Sequence, residues 1–512
     1  MIQDRSPLET DPTAMLSQFR ALGATTVRVI VNWYLLSPDP ASGQMPAGFD
    51  PADPNAYAAA AWAPYDQTVR AAQADGMKVD FTLSGGAPAW AEGLGIPAQG
   101  FNPNYAWKPN ATLYGAFAQA VGERYSGRFT APGASAPLPA VHFWALWNEP
   151  NFGQDLAPQA INGSTLSVAP MMYRGLVDAG WRGLHQSGHG ADTILIGELA
   201  ARGLAGPVSG NHPQGLPGYY SQTKPMQFIR TLYCLDSRYR LLKGGAARAH
   251  GCPTTAAGSR AFRKQHPGLF SATGVADHPY PAGDPPVLRR RTDPDFATFP
   301  QLASLEHGLD RALGAYGSRH HYPIYNDEFG YITRPPQTAP YASPTTAAYY
   351  LNWTEYLSWK STRVASYMQY LLNDPTPQGG HPGFASGLLT SSGQPKATFY
   401  AYRMPLYLPR TTLRRGRTAE VWGAVRPAPF MALDSGQSQS VAIQLQRGGH
   451  GPFSTLKSVP LSSPAGYFDL PVVFPASGRV RLAYTFPSGD SFLPVGEPGT
   501  TIYSRSVSIT AR

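Results

Sequence analysis

Two glutamates stand out by the residues around them. Glu149 lies in Trp147-Asn148-Glu149-Pro150-Asn151, directly after the apolar run 142–146, and Glu328 lies in Tyr325-Asn326-Asp327-Glu328-Phe329-Gly330, after Pro323-Ile324. Set between Trp147 and Phe152, the first is placed to give a proton away, because partial desolvation favours the neutral form of a carboxyl. The amide of Asn148 can donate a hydrogen bond to a substrate hydroxyl. Two carboxyls facing each other across a cleft, one an acid and the other a nucleophile or base, carry the chemistry that cleaves a glycosidic bond.

Both glutamates need strands that end in the same place. Short β-branched or apolar runs alternate along the chain with helical stretches. The composition predicts strands over 25–33, 78–83, 140–147, 193–197, 274–277, 323–326 and 363–370, and helices over 12–22, 65–75, 113–125 and 173–185. An eighth strand, Ile2-Gln3, is barely present. Such βα alternation implies a parallel sheet, and eight units over residues 1–408 predict a (β/α)8 TIM barrel. No strand is followed by a GxGxxG turn, which counts against an open dinucleotide-binding sheet. In a barrel Glu149 would close the fourth strand and Glu328 the seventh, at the C-terminal end where such enzymes place their catalytic groups.

After residue 408 the helical period stops. Short alternating strands recur over 441–446, 478–484 and 506–510, predicting a β-sandwich over 409–512. Its role is read either as packing or as contact with sugar.

With these elements in place the chain resembles the glycoside hydrolases of clan A, and in pattern most nearly the β-xylosidase/α-L-iduronidase family, family thirty-nine. The resemblance rests on Trp147-Asn148-Glu149-Pro150-Asn151 after one strand, Asp327-Glu328-Phe329-Gly330 after another, and the segment 387–407. It covers about residues 1–405. It implies Glu149 as acid/base, Glu328 as nucleophile and Asn148 as the partner of the sugar 2-hydroxyl, with no cofactor and no metal. It also implies that Tyr280 of Asp277-His278-Pro279-Tyr280 holds the nucleophile and that His278 touches sugar.

Further candidates come from the residues themselves. Arg28, Ile30 and Asn32 share one face of the second strand by the period of two. A lone arginine in an apolar strand needs a carboxylate, either Glu328 or a structural partner remote from the site. Trp33, Trp90 and Trp107 are expected in loops beyond strands two and three, where indoles stack on sugars or simply pack. Glu198 is expected to end strand five as a hydrogen-bonding or subsite residue. The inserts 206–220 and 281–300 would deepen a pocket and favour removal of terminal sugars.

Composition narrows the field. Charged residues are 14% of the 512, aromatics 12%, and Gly and Pro number 53 and 51, which suits structured loops and a neutral polar ligand. The net charge of +9 has two dense clusters, Arg289-Arg290-Arg291 and Arg410/Arg414/Arg415/Arg417, both beside linker-like sequence, so no nucleic-acid partner is expected. No apolar run is long enough to span a membrane, and GxSxG and GxxxxGK[ST] are absent. The only cysteines, Cys234 and Cys252, are read as a disulfide in a Gly-rich loop, hence a secreted or cell-surface protein, or as two free thiols in a reducing compartment. Oligomeric state is left open. A retaining glycosidase, a sugar-binding barrel without turnover and a transglycosylase are the functions the pattern admits.

Overall fold

The computed structural model describes residues 1–4, 8, 10–98, 102, 104–204, 216–287, 292–379, 381–488 and 498–512. The triple arginine 289–291 and much of the 206–220 insert lie outside these.

A ring of parallel strands forms the first domain: β1 (Ile2–Gln3), β2 (Thr26–Asn32), β3 (Lys78–Ser84), β4 (Phe143–Leu146), β5 (Thr193–Ala200), β6 (Gly274–His278), β7 (Ile324–Asn326) and β8 (Val364–Ser366). Each pairs with the next. The ring closes through β9 (Gln369–Tyr370), which carries on from β8 and pairs with β1 as Ile2↔Gln369 and Gln3↔Tyr370. The short first strand is therefore sufficient, and the chain is a (β/α)8 barrel. Its floor is apolar, with Ala145, Leu195 and Ala276 packed with Phe143 and Tyr325. Nearer the C-terminal ends the buried residues are polar: Arg28, Asp80, Thr82, Glu198, His278 and Asp327.

Capping residues set the helices that surround the ring. Asp11 caps α1 (Pro12–Ala21) by accepting from Ala14 N, and Pro12 suits its first turn. Helix α2 (Ala59–Ala74) starts earlier than the period predicts, with Pro64 inside it. Asn110 caps α3 (Ala111–Arg124). Helix α4 (Ala169–Gln186) packs so closely on α3 that a Cβ at Gly183 would lie 2.3 Å from the carbonyl oxygen of Gly115. Glycine is required there by contact alone.

Between β5 and β6 the chain forms α5 (Pro225–Leu232) and further helical pieces the sequence pattern does not show. Cys234 and Cys252 are joined by a disulfide in this insert. Buried Arg174 of α4 fastens it by donating to the carbonyls of Leu232, Gly251 and Thr231. Helices α6 (Leu302–Gly314), α7 (Pro344–Lys360) and α8 (Ala397–Arg403) complete the barrel wall.

The second domain is β-rich. Its first strand, β10 (Leu406–Tyr407), lies before residue 409, so the chain leaves the barrel earlier than the change of pattern suggests. It pairs with β12 (Thr418–Ala424), which pairs with β15 (Tyr467–Val473). A second sheet runs β11 (Thr412–Leu413), β18 (Val507–Ala511), β16 (Gly478–Thr485), β13 (Ser440–Arg447) and β14 (Ser454–Pro460), with β17 (Thr501–Tyr503) beside β16. Phe468 of the first sheet and Leu482 of the second both crowd Gly423, so the sheets pack on each other. A helix, α9 (Ala428–Ser435), interrupts the strands.

The joint between domains is polar at its centre. Glu355 of α7 accepts from Arg426 and, at 2.6 Å, from the hydroxyl of Tyr467. Arg20 of α1 makes a two-pronged ion pair with Asp434 at 2.6 and 2.7 Å. A cavity of about 500 Å³ at this joint is lined by Thr26, Lys78, Phe143, Thr193 and Val364 together with Arg426 and Tyr467. The second domain thus sits beneath the strands' N-terminal ends.

Candidate active site

The segment after β4 turns sharply. Trp147 and Glu149 both adopt positive φ, 73° and 39°, a conformation L-residues hold only when their surroundings enforce it. Here Trp147 is fully buried, with its indole N–H donating to the carbonyl of Asp155 at 3.1 Å and its ring edge-on to Tyr114. The backbone N–H of Asn148 donates to Ser84 Oγ at 3.0 Å, and that of Glu149 to the carbonyl of Glu198 at 3.1 Å. Strand ends β3 and β5 therefore aim Asn148 and Glu149 at the barrel mouth.

Glu328 arrives from β7, and a ligand-type oxygen of each glutamate lies within 4.8 Å of the other. His278, at the end of β6, stands between them. Its Nδ1 is 2.9 Å from Glu149 Oε1 and 3.7 Å from Glu328 Oε2. Burial disfavours a charge on the ring, but the negative charges of Glu328 and Glu149 outweigh it and hold the His278 pKa above its ordinary value. Tyr280 donates its hydroxyl to Glu328 Oε1 at 3.0 Å. Burial, then the charge of Glu328, keeps that phenol far above its usual range and so protonated.

Arg28 is the hub. Its guanidinium, with no exposed surface, donates from Nη1 to Glu328 Oε2 (2.9 Å) and Gln3 Oε1 (2.6 Å), and from Nη2 to Asn148 Oδ1 (2.8 Å) and Glu198 Oε2 (2.7 Å). Thr82 donates to the other oxygen of Glu198 at 2.7 Å. Burial works against the guanidinium's charge, and Glu198, Glu328 and Asp327 together restore it. The lone arginine of β2 thus finds its carboxylates at the site itself.

Three sequence expectations need correction, and of the two readings of Glu198 the hydrogen-bonding one holds. Glu198 does not end its strand; β5 runs on through a register shift to Ala200, and Glu198 is fully buried as the support of Arg28, out of reach of a substrate. His278 is fully buried and supports Glu149 instead of touching sugar. Asn32 points its Oδ1 at Leu35 N, capping a one-turn helix, while its side chain fills the space beside Gly85. Trp33 begins that helix and is wholly buried, stacked on Phe117 and edge-on to Tyr114.

Trp90 and Trp107 are held by indole bonds to the carbonyls of Pro38 and Leu94. The aromatic surface beside the glutamates is formed instead by Tyr280, Tyr370 and Phe384, with Phe384 4.8 Å from Tyr280 ring to ring.

Two acidic residues without a role in the motifs also belong to the centre. Asp155, on the loop beyond Glu149, accepts from Asn148 Nδ2 at 3.2 Å. Asp327 is fully buried beside Glu328, with Oδ1 3.6 Å from His278 Nε2 and Oδ2 4.0 Å from Arg28 Nε. Burial, then the charge of Glu198, pushes its carboxyl well up. Adjacent acids at a strand end were the available signal for Asp327; Asp155 has none.

Among the described residues, two groups of three side chains bring ligand-type atoms together, Glu149/His278/Glu328 and Glu198/His278/Asp327. Arg28 already donates to a carboxylate of each, so a guanidinium supplies the fixed positive charge that an ion would bring. Among these residues no helix is long and apolar enough to cross a membrane.

No family model matches the sequence, and no curated protein matches it. Solved structures similar to the chain include a family 39 glycoside hydrolase from Bacteroides cellulosilyticus, at 16% identity and TM-score 0.48, the match covering 92% of this chain and 79% of that one. A glucosidase from Croceicoccus marinus is 12% identical at TM-score 0.45, with 90% of each chain covered. A GH30 endoxylanase from Clostridium papyrosolvens is 10% identical at TM-score 0.43, with 93% of each covered.

Proposed function

We propose that the chain is a retaining glycoside hydrolase that removes terminal sugars through a covalent glycosyl-enzyme. The observation that carries this reading is the carboxyl pair at the barrel mouth. Oxygens of Glu149 and Glu328 come within 4.8 Å, close to the roughly 5–5.5 Å of retaining enzymes and short of the ~6.5–9.5 Å that leaves room for a water in inverting ones.

Each support has a chemical task. Tyr280 and Arg28 donate to the two oxygens of Glu328, which aims it as nucleophile. His278 occupies Oε1 of Glu149, leaving Oε2 to deliver a proton to the glycosidic oxygen while Glu328 attacks the anomeric carbon. The leaving group departs as an alcohol. Glu149, now ionised, takes a proton from the water that attacks the same carbon, and Glu328 is released. Asn148 meets the 2-hydroxyl. We assign the protein to an oxidising compartment, outside the cytoplasm, on the strength of the disulfide.

The test is a panel of aryl glycosides and oligosaccharides, followed by proton NMR of the first-formed product, with Glu149→Gln and Glu328→Gln alongside. One sugar released with its anomeric configuration retained, and abolished in both variants, is the expected result. An inverted product, or turnover that survives Glu328→Gln, refutes the reading.

A further inference from the structure

We propose that Asp155 is a positioning residue that makes cleavage depend on a hydroxyl at C2 of the sugar, by fixing which way the amide of Asn148 faces. The inference rests on the glycosidase reading above. Asn148 is gripped at both ends of its side-chain amide. Its Oδ1 accepts from Arg28 Nη2 at 2.8 Å, and its Nδ2 donates to Asp155 Oδ2 at 3.2 Å. A guanidinium can only donate, and an aspartate oxygen facing an N–H accepts. The two partners therefore specify one orientation of the amide, in which the second hydrogen of Nδ2 remains for the substrate.

The loop is built to bring Asp155 there. Phe152 N–H donates to the carbonyl of Glu149 at 2.8 Å, and Asp155 N–H to that of Phe152 at 3.0 Å, so two tight turns fold the chain back. Buried Trp147 then pins the Asp155 carbonyl through its indole N–H. The carboxyl so placed is half-buried. Burial first, and the charge of Glu149 second, raise its pKa, and in either protonation state a carboxyl oxygen can accept from Nδ2.

Without this acceptor the amide keeps only its bond to Arg28, and Nδ2 is no longer aimed. The loss falls on substrates that offer a 2-hydroxyl and spares those that lack it. The experiment compares kcat/KM on a 4-nitrophenyl glycoside that the wild type hydrolyses with that on its 2-deoxy counterpart, in wild type, Asp155→Leu and Asp155→Asn.

In Asp155→Leu the preference for the 2-hydroxyl substrate falls about tenfold or more, the effect of losing one hydrogen bond of ~1.5 kcal/mol. Asp155→Asn, whose Oδ1 still accepts from Nδ2, keeps the preference. Should Asp155→Leu not fold, Asp155→Ala replaces it in the same comparison. Equal losses on both substrates, leaving the ratio unchanged, would mean a merely structural role and overturn the inference while leaving the glycosidase reading intact. A wild type inert on every glycoside overturns that reading and this inference with it.

Discussion

Replacing Asp80 by Asn isolates one buried acid. Asp80 lies on β3 in register with Arg28 of β2, is fully buried, and has no hydrogen-bond partner at either carboxyl oxygen. Burial, and then the charge of Glu198, raises its pKa from 3.8 to about 8, against the pull of Arg28. Between those two values the folded chain holds a proton that the unfolded chain has released. Stability therefore falls as pH rises through that window, by ~1.36 kcal/mol per unit, and levels off above the folded pKa. Over about four units the loss is roughly 6 kcal/mol.

Asp80→Asn, neutral at every pH, lacks this slope. With an unfolding entropy of ~2 cal/mol/K per residue over a barrel of about 400 residues, the difference amounts to about 7 °C in Tm. Differential scanning calorimetry from pH 4.5 to 8.5 should show the two proteins close together at the acid end. The variant should then gain steadily on the wild type towards pH 8. Buried acids that do not feel the charge of Asp80 contribute to both curves alike and cancel in the difference. Parallel Tm–pH curves would refute the argument that Asp80 is a neutral acid inside the barrel.

Two further outcomes follow from the same geometry. Tyr280→Phe removes the hydroxyl bonded to Glu328 at 3.0 Å but keeps the ring against Phe384; kcat on an aryl glycoside should drop about 10- to 100-fold with Tm little changed, the effect of ~1.5–3 kcal/mol at a charged acceptor. Cys234→Ser with Cys252→Ser opens a loop of sequence separation 18 and should cost roughly 3 kcal/mol, read as a lower Tm and as faster proteolysis within the β5–β6 insert.

The alternation of short strands with helical stretches was readable because Val27, Val29, Ile30 and Val31 make β2 a β-branched run around Arg28, and Val79, Phe81 and Leu83 recur at every second position of β3. Glu149 and Glu328 were readable because each follows such a run within a distinctive neighbourhood. Arg28 announced its need of a carboxylate simply by being a cation in an apolar strand. The orientation of strand-end residues was not readable. Trp33 and Asn32 lie at the mouth in sequence, yet the chain turns into a helix there and carries Trp33 into the wall. His278 and Glu198 differ from substrate-facing residues in depth of burial, which residue type and strand-end position do not encode. Asp155 acquires its role from a loop that folds back, and no local pattern encodes that return. The helix 428–435 went unseen because its run opens on Pro427 and Pro429 among strands.

The buried Glu355–Arg426–Tyr467 contact has a consequence for how this protein can be taken apart. Oε1 of the barrel's Glu355 receives its hydrogen bonds from Arg426 and Tyr467 of the β-rich part, and the same boundary covers Trp422 stacked on Tyr467 with Tyr356 edge-on. A truncation at the end of α8 would strand that carboxyl and bare the ring of Tyr356. The β-rich part is therefore no detachable tether that could be swapped between enzymes. It is the barrel's missing underside, and engineers seeking a smaller catalyst would have to redesign that surface before removing it.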